Sequence, residues 1–233
     1  VTALLSIALA APWTMTDVDV EHGGDPVVLV VTPGVEPEAF TGWSLALRRR
    51  GLDVHLATLE PTTGPEEAIH ELHAALDELE ASLGPLKLAG HGYGGLLVLL
   101  SGYAPERLAL IAVPLAAQPV AVLAKGGDHG LPWPDELVGD YPAGPIHPDL
   151  SAAFAAWAAE LPGYRVPDCP VLVASGNRDV VAPPEVVRPP SQGWPDRSWD
   201  RLGFLALEPE RLHMEVLAHE GLATTVARFL DAP

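Results

Sequence analysis

The chain has 233 residues, 48% of them hydrophobic, and carries 31 acidic against 13 basic side chains for a formal net charge of −18. That charge repels phosphate backbones and anionic headgroups, which argues against nucleic acid or an anionic membrane as a partner. The length suits one domain with a large core and an insertion, not two complete domains. The single cysteine, Cys169, excludes an internal disulfide and any cysteine-built metal cluster.

No apolar run is long enough to span a bilayer, so a soluble chain is expected, cytoplasmic or secreted. The run ALLSIALAAPW, residues 3–13, reads as a first β-strand and the start of a hairpin over SIALAAPWTMTDVDVEHGG. The competing reading, the remains of a secretion signal, lacks a basic segment ahead of the apolar run. The chain starts at Val1 where a Met is usual, which leaves room for residues ahead of it.

PVVLVV, residues 26–31, is uniformly apolar and β-branched, as expected of a strand covered on both faces. A helix is predicted from Glu38 to Arg50 with Gly51 as its stop, followed by the strand LDVHLATL. The segment GPEEAIHELHAALDELEASLG places Ile69, Leu72, Leu76, Leu79 and Leu83 at helical spacing, an amphipathic helix. Further buried strands are RLALIAVPLA, PVLVASG and LGFLALE, before a C-terminal helix around HEGLATTVARFL. Strands that alternate with helices in this way predict a mostly parallel α/β sheet covered by helices on both faces.

Residues 117–168 differ in character: GGDHGLPWPDELVGDYPAGPIHPDL is rich in Pro, Gly and aromatics and leads into the short helix SAAFAAWAAEL. An excursion of that length between strands reads as either a lid over a site or a disordered insertion. Trp133, Tyr141, Phe154, Trp157 and Tyr164 favour a packed lid. The remaining residues, 1–116 and 169–233, form the core of the domain.

Chemistry concentrates in LAGHGYGGLLVLL, residues 88–100, where an apolar strand turns into an apolar helix through Gly90, Gly92, Gly94 and Gly95. Glycines crowd a bend where backbone must bend sharply or approach something closely, and a helix N-terminus offers unpaired N–H groups to an oxyanion or carboxylate. Gly90-His91-Gly92-Tyr93-Gly94 has the G-x-S-x-G spacing of a nucleophile elbow, with Gly92 at its centre. Further on, PVLVASG ends near Asp179, an acid at a strand's C-terminal end, and His213 follows the last strand.

Elbow, acid and histidine in that order resemble the α/β-hydrolase superfamily over nearly the whole chain, lid after the sixth strand included, and GHGYGG resembles that superfamily's GHSxGG. The resemblance implies Asp179 as the triad acid, His213 as the base and Gly92 at the nucleophile position. It implies an oxyanion or ligand site around Gly34, Val35, His91 and Tyr93, with the backbone N–H groups of Tyr93 and Val35 as donors. Two departures stand out. Glycine has no Oγ to attack an acyl carbon, so covalent chemistry is lost at Gly92, and Pro33 stands where many members have histidine.

No other residue replaces the nucleophile. Ser101 lies about 13 Å of helix rise away, Cys169 starts its strand at the wrong end, and His91 and Tyr93 flank the vacant place and point elsewhere. What remains is a His213–Asp179 dyad able to act as a general base. His219, where the last helix starts, is the rival histidine, and Asp179 has a competing reading as a cap of the helix begun by APPEVV. His70 and His73, near Glu66 and Glu67, read as a solvated helix face in preference to metal ligands. His129 and His147 read as exposed loop residues, Cys169 as a small buried apolar one, and Trp194 and Trp199 as loop packing or a ligand wall. No metal and no cofactor is implied, since neither a dinucleotide fingerprint in context nor a Walker loop is present.

Three functional readings follow: a pseudo-hydrolase that binds a small apolar or acyl ligand, or a protein partner, without turnover; an enzyme that uses the His–Asp pair for proton transfer or water activation; and an esterase or thioesterase whose serine was changed to Gly92. A structural, partner-binding subunit is a further alternative.

Overall fold

The computed structural model describes residues 13–17, 23–32, 35, 37–60, 63–113, 168–179 and 215–232, together with the backbone of 202–208. The stretch expected to form the first strand up to residue 12, the greater part of the 117–168 lid with its aromatics, and His129, His147, Trp194 and Trp199 lie outside those residues.

Among the described residues seven strands form one sheet: β1 (Trp13–Asp17), β2 (Pro26–Val30), β3 (Asp53–Leu59), β4 (Lys87–His91), β5 (Arg107–Ile111), β6 (Val171–Gly176) and β7 (Leu202–Glu208). Their spatial order is β1-β3-β2-β4-β5-β6-β7. β1 runs antiparallel to β3, with Trp13 opposite Leu59, and the other six strands are parallel. Of the predicted hairpin, residues 6–24, only 13–17 and 23–24 are described, and 13–17 pairs with β3. Every residue of β2, β4 and β6 is buried, as expected of strands covered by helices on both faces, and β4 takes even Lys87 and His91 out of solvent.

Four α-helices accompany the sheet among the described residues: α1 (Thr41–Arg48), α2 (Pro65–Leu83), α3 (Gly92–Ser101) and α4 (Glu220–Asp231). α1 packs with α4 and α2 with α3. The single helix predicted from Glu38 to Arg50 is a 3-10 turn, Pro37–Phe40, followed by α1. Thr41 Oγ1 donates to the Glu38 carbonyl at 2.7 Å across the junction, and Phe40 stands before α1 with φ −94° and ψ 4°, outside α geometry. In α2, Leu72, Leu76 and Leu79 are almost wholly buried, each burial contributing about 1.5–3 kcal/mol. Leu83, expected on the same stripe, is exposed at 37%: it closes the last turn of α2, where Gly84 turns the chain away at φ +94°. α3 is apolar all round and buried from Gly92 to Leu100, as befits a helix that lies in the core.

Candidate functional site

The chain leaves β2 toward β3 on one side of it and later returns to β4 on the other, so the strand order reverses between β2 and β4. In open α/β sheets the crevice beyond the carboxyl ends of the strands at such a reversal is where ligands bind. The residues there are Thr32 and Val35 after β2, and His91, Gly92 and Tyr93 where β4 meets α3.

Packing dictates the β4–α3 bend. A Cβ on Gly94 would stand 2.3 Å from the Val30 carbonyl oxygen, so the start of α3 is pressed onto the end of β2. A Cβ on Gly90 would meet the Gly95 Cα at 2.4 Å, so the strand and the helix it feeds touch backbone to backbone. Between them Gly92 sits at φ +51°, in the left-handed region that residues with a Cβ enter at a cost. The strand, tight turn and helix that the glycine spacing implied are all present here.

His91 is wholly buried. Its Nδ1 lies 3.0 Å from Thr32 Oγ1 and its ring meets Phe40 edge-on, centroids 6.0 Å apart. The Thr32 hydroxyl donates to the His91 carbonyl at 2.5 Å. Tyr93 is buried at the first turn of α3. Val35 is buried and its N–H donates to the Thr32 carbonyl at 3.0 Å. Donation by Val35 to a ligand, expected from the sequence, therefore requires that bond to be given up. The reason is legible in Thr-Pro-Gly-Val, because a Pro-Gly pair favours a turn closed by a bond between its first carbonyl and its fourth N–H. Gly34 and Pro33 lie outside the described residues.

Asp179 follows β6 and is 2% exposed. Its N–H donates to the Gly176 carbonyl at 3.2 Å, and its Oδ2 accepts from the buried Ser175 hydroxyl at 3.4 Å. β6 is separated from β4 by β5 alone, so this carboxylate belongs to the same edge of the sheet as Gly92. His213 lies outside the described residues. The rival His219 is the N-cap of α4, its Nδ1 accepting from the Leu222 N–H at 3.1 Å. Ser101 sits at the far end of α3, its hydroxyl bonded to the Val98 carbonyl at 2.8 Å, and Cys169 is buried ahead of β6.

His70 and His73 line an open groove of about 570 Å³ with Glu66, Ile69, Asp77 and Ser101. His73 Nδ1 lies 2.7 Å from the Ser101 carbonyl, and its Nε2 lies 3.4 Å from Asp77. No three His, Cys, Asp or Glu side chains come together in metal-binding geometry among the described residues. Nor is any described helix long and apolar enough to cross a membrane.

Thr32 and Ser175 were not singled out from the sequence. The signal is a hydroxyl residue closing a buried apolar strand, VVT and VAS, since a buried hydroxyl must find a hydrogen-bond partner.

No protein-family model matches the chain, and no curated protein matches it in sequence. Solved structures do match in shape. The monoacylglycerol lipase of Paleococcus ferrophilus has a TM-score of 0.67 at 18% identity, covering 90% of this chain and 96% of its own. A proline iminopeptidase-related protein of Thermus thermophilus has 0.65 at 17% identity over the whole of both chains. The enol-lactonase of Burkholderia xenovorans has 0.64 at 18% identity, covering 94% and 96%. With its six parallel strands and flanking helices, the chain has the α/β-hydrolase fold.

Proposed function

We propose that this protein is a pseudo-hydrolase: an α/β-hydrolase-fold chain that binds a small carbonyl- or acyl-bearing ligand at the C-terminal edge of its sheet without covalent turnover. The observation that carries the reading is Gly92, which holds the apex of the β4–α3 bend at φ +51° and has no side chain to attack with. The helix N-terminus at Gly92 and Tyr93 favours the partial negative charge of a carbonyl or carboxylate. The ligand class draws on the lipase and lactonase named among the structures of like shape.

A second reading rests on Asp179. Asp179 is a carboxylate buried just after the C-terminal end of β6, where it accepts from the Ser175 hydroxyl. With His213 as its partner, Asp179 would orient a general base able to act on a bound water or an acidic C–H without a serine. An ordinary esterase altered at Gly92 is the third reading, and sequencing the natural gene at that codon decides it.

The test is hydrolysis of short and long acyl p-nitrophenyl esters and thioesters by the unsubstituted chain, Gly92→Ser and His213→Ala. The pseudo-hydrolase reading expects no turnover by the unsubstituted chain and measurable turnover by Gly92→Ser, which also loses about 1–2 kcal/mol of stability by placing a Cβ in the left-handed region. Turnover by the unsubstituted chain that vanishes in His213→Ala establishes the second reading and overturns the first. Turnover that survives both substitutions overturns the site itself.

A further inference from the structure

We infer that Thr32 is the positioning residue of this site, locking the β4–α3 bend and the loop after β2 to one another through His91. The inference rests on the site proposed above and adds a residue to it.

Thr32 is 1% exposed and bonds to three different parts of the site. Its hydroxyl proton goes to the His91 carbonyl, the group that leads directly into Gly92. A hydroxyl has one proton and two lone pairs. With that proton committed, Thr32 Oγ1 can only accept from the ring nitrogen 3.0 Å away, so His91 carries a proton on Nδ1. The Thr32 carbonyl in turn receives the Val35 N–H. The Thr32 hydroxyl thus ties down the backbone before Gly92 and faces the Nδ1–H of a wholly buried imidazole, and releasing it from His91 loosens the backbone carbonyl that holds the Val35 N–H.

The surroundings leave this arrangement little freedom. The Val31 N–H is held by the Ala57 carbonyl at 2.9 Å, Phe40 stands edge-on to the imidazole, and a Cβ on Gly94 would collide with Val30. Removing the hydroxyl takes a partner from a buried ring N–H and from a buried carbonyl, without opening space for water to enter. Serine keeps both hydroxyl bonds and removes only a methyl group.

The experiment is long-range 1H–15N correlation of the histidine rings, with amide hydrogen exchange at Val35, on the full chain and on Thr32→Ser and Thr32→Val. His91 should be protonated at Nδ1 in the unsubstituted chain and in Thr32→Ser, and in Thr32→Val it should move toward the other tautomer. The Val35 amide should then exchange about tenfold faster or more, while Val28 and Leu88 within the sheet keep their protection. Protonation of His91 at Nε2 in the unsubstituted chain overturns the inference. So does a Thr32→Val variant with the His91 tautomer and Val35 exchange unchanged, or a Thr32→Ser variant that behaves like Thr32→Val. If Thr32→Val does not fold, the unsubstituted tautomer and Thr32→Ser still decide. Ester turnover by the unsubstituted chain sinks the pseudo-hydrolase reading and moves none of these signals, so the two failures are distinct.

Discussion

Val113 is pressed against Gly95 where α3 begins: a Cβ built on Gly95 would run into Val113 Cγ2 and lie 2.9 Å from the Gly90 carbonyl oxygen. Ala112, just beyond β5, takes φ +51°, an uncommon angle for a residue with a Cβ, with its N–H on the Ala174 carbonyl at 2.7 Å. The chain bends there and sets a fully buried Val113 against the first turn of α3. Gly95→Ala should therefore lower unfolding free energy by about 1–3 kcal/mol, the usual range for overpacking a core. Gly94→Ala should cost more, because all three atoms its Cβ meets, on Val30 and Val31, are backbone, and the nearest is closer than the Gly90 backbone that Gly95→Ala meets. Urea melts of the two variants check both the size and the order.

His219 is used by the fold as a cap. Its Nδ1 accepts from the Leu222 N–H, one of the donors that the first turn of α4 leaves without an intrahelical partner. His219→Ala should lose about 0.5–1 kcal/mol, and His219→Asp or His219→Asn should recover most of it. Ligand binding at the sheet edge should be unchanged in all three. A loss of binding that tracks the imidazole, with stability restored, would promote His219 to the site.

Tyr103 should shape the alkaline limb of the stability curve. Burial, and then the carboxylate of Glu80, push its phenol above the ordinary value of 10.0. Its ring is buried and packs edge-on against His73, with centroids 6.1 Å apart. A folded-state value above the unfolded one means that the folded chain holds this proton more tightly. That contribution is complete below about pH 10 and is lost as pH rises from there toward the folded-state value. Tyr103→Phe should flatten the fall in melting temperature between about pH 9.5 and 11 relative to the unsubstituted chain. Parallel curves would show that the phenol does not titrate in this way.

Much of the fold is local and so was readable in the chain itself. PVVLVV and PVLVASG are strands because β-branched runs without polar alternation suit only a sheet covered on both faces. Gly84 and Gly102 end α2 and α3 at positive φ, as glycines after helical runs should. The bend at 90–95 was legible in its glycine spacing, because each close approach forbids a Cβ. Leu83 departed from its stripe because periodicity knows nothing of where a helix runs past its neighbour.

The sequence alone determined the mostly parallel α/β class of fold, through strands alternating with helices, and the place of the bend, through the glycine spacing at 90–95. Tertiary structure decided the order β1-β3-β2-β4-β5-β6-β7, and with it the reversal that puts Thr32 beside His91, 59 residues further along the chain. The physical reason is that a hydrogen bond depends on distance and direction in space. Partners brought together only by parallel strand pairing leave no periodic trace in the order of residues.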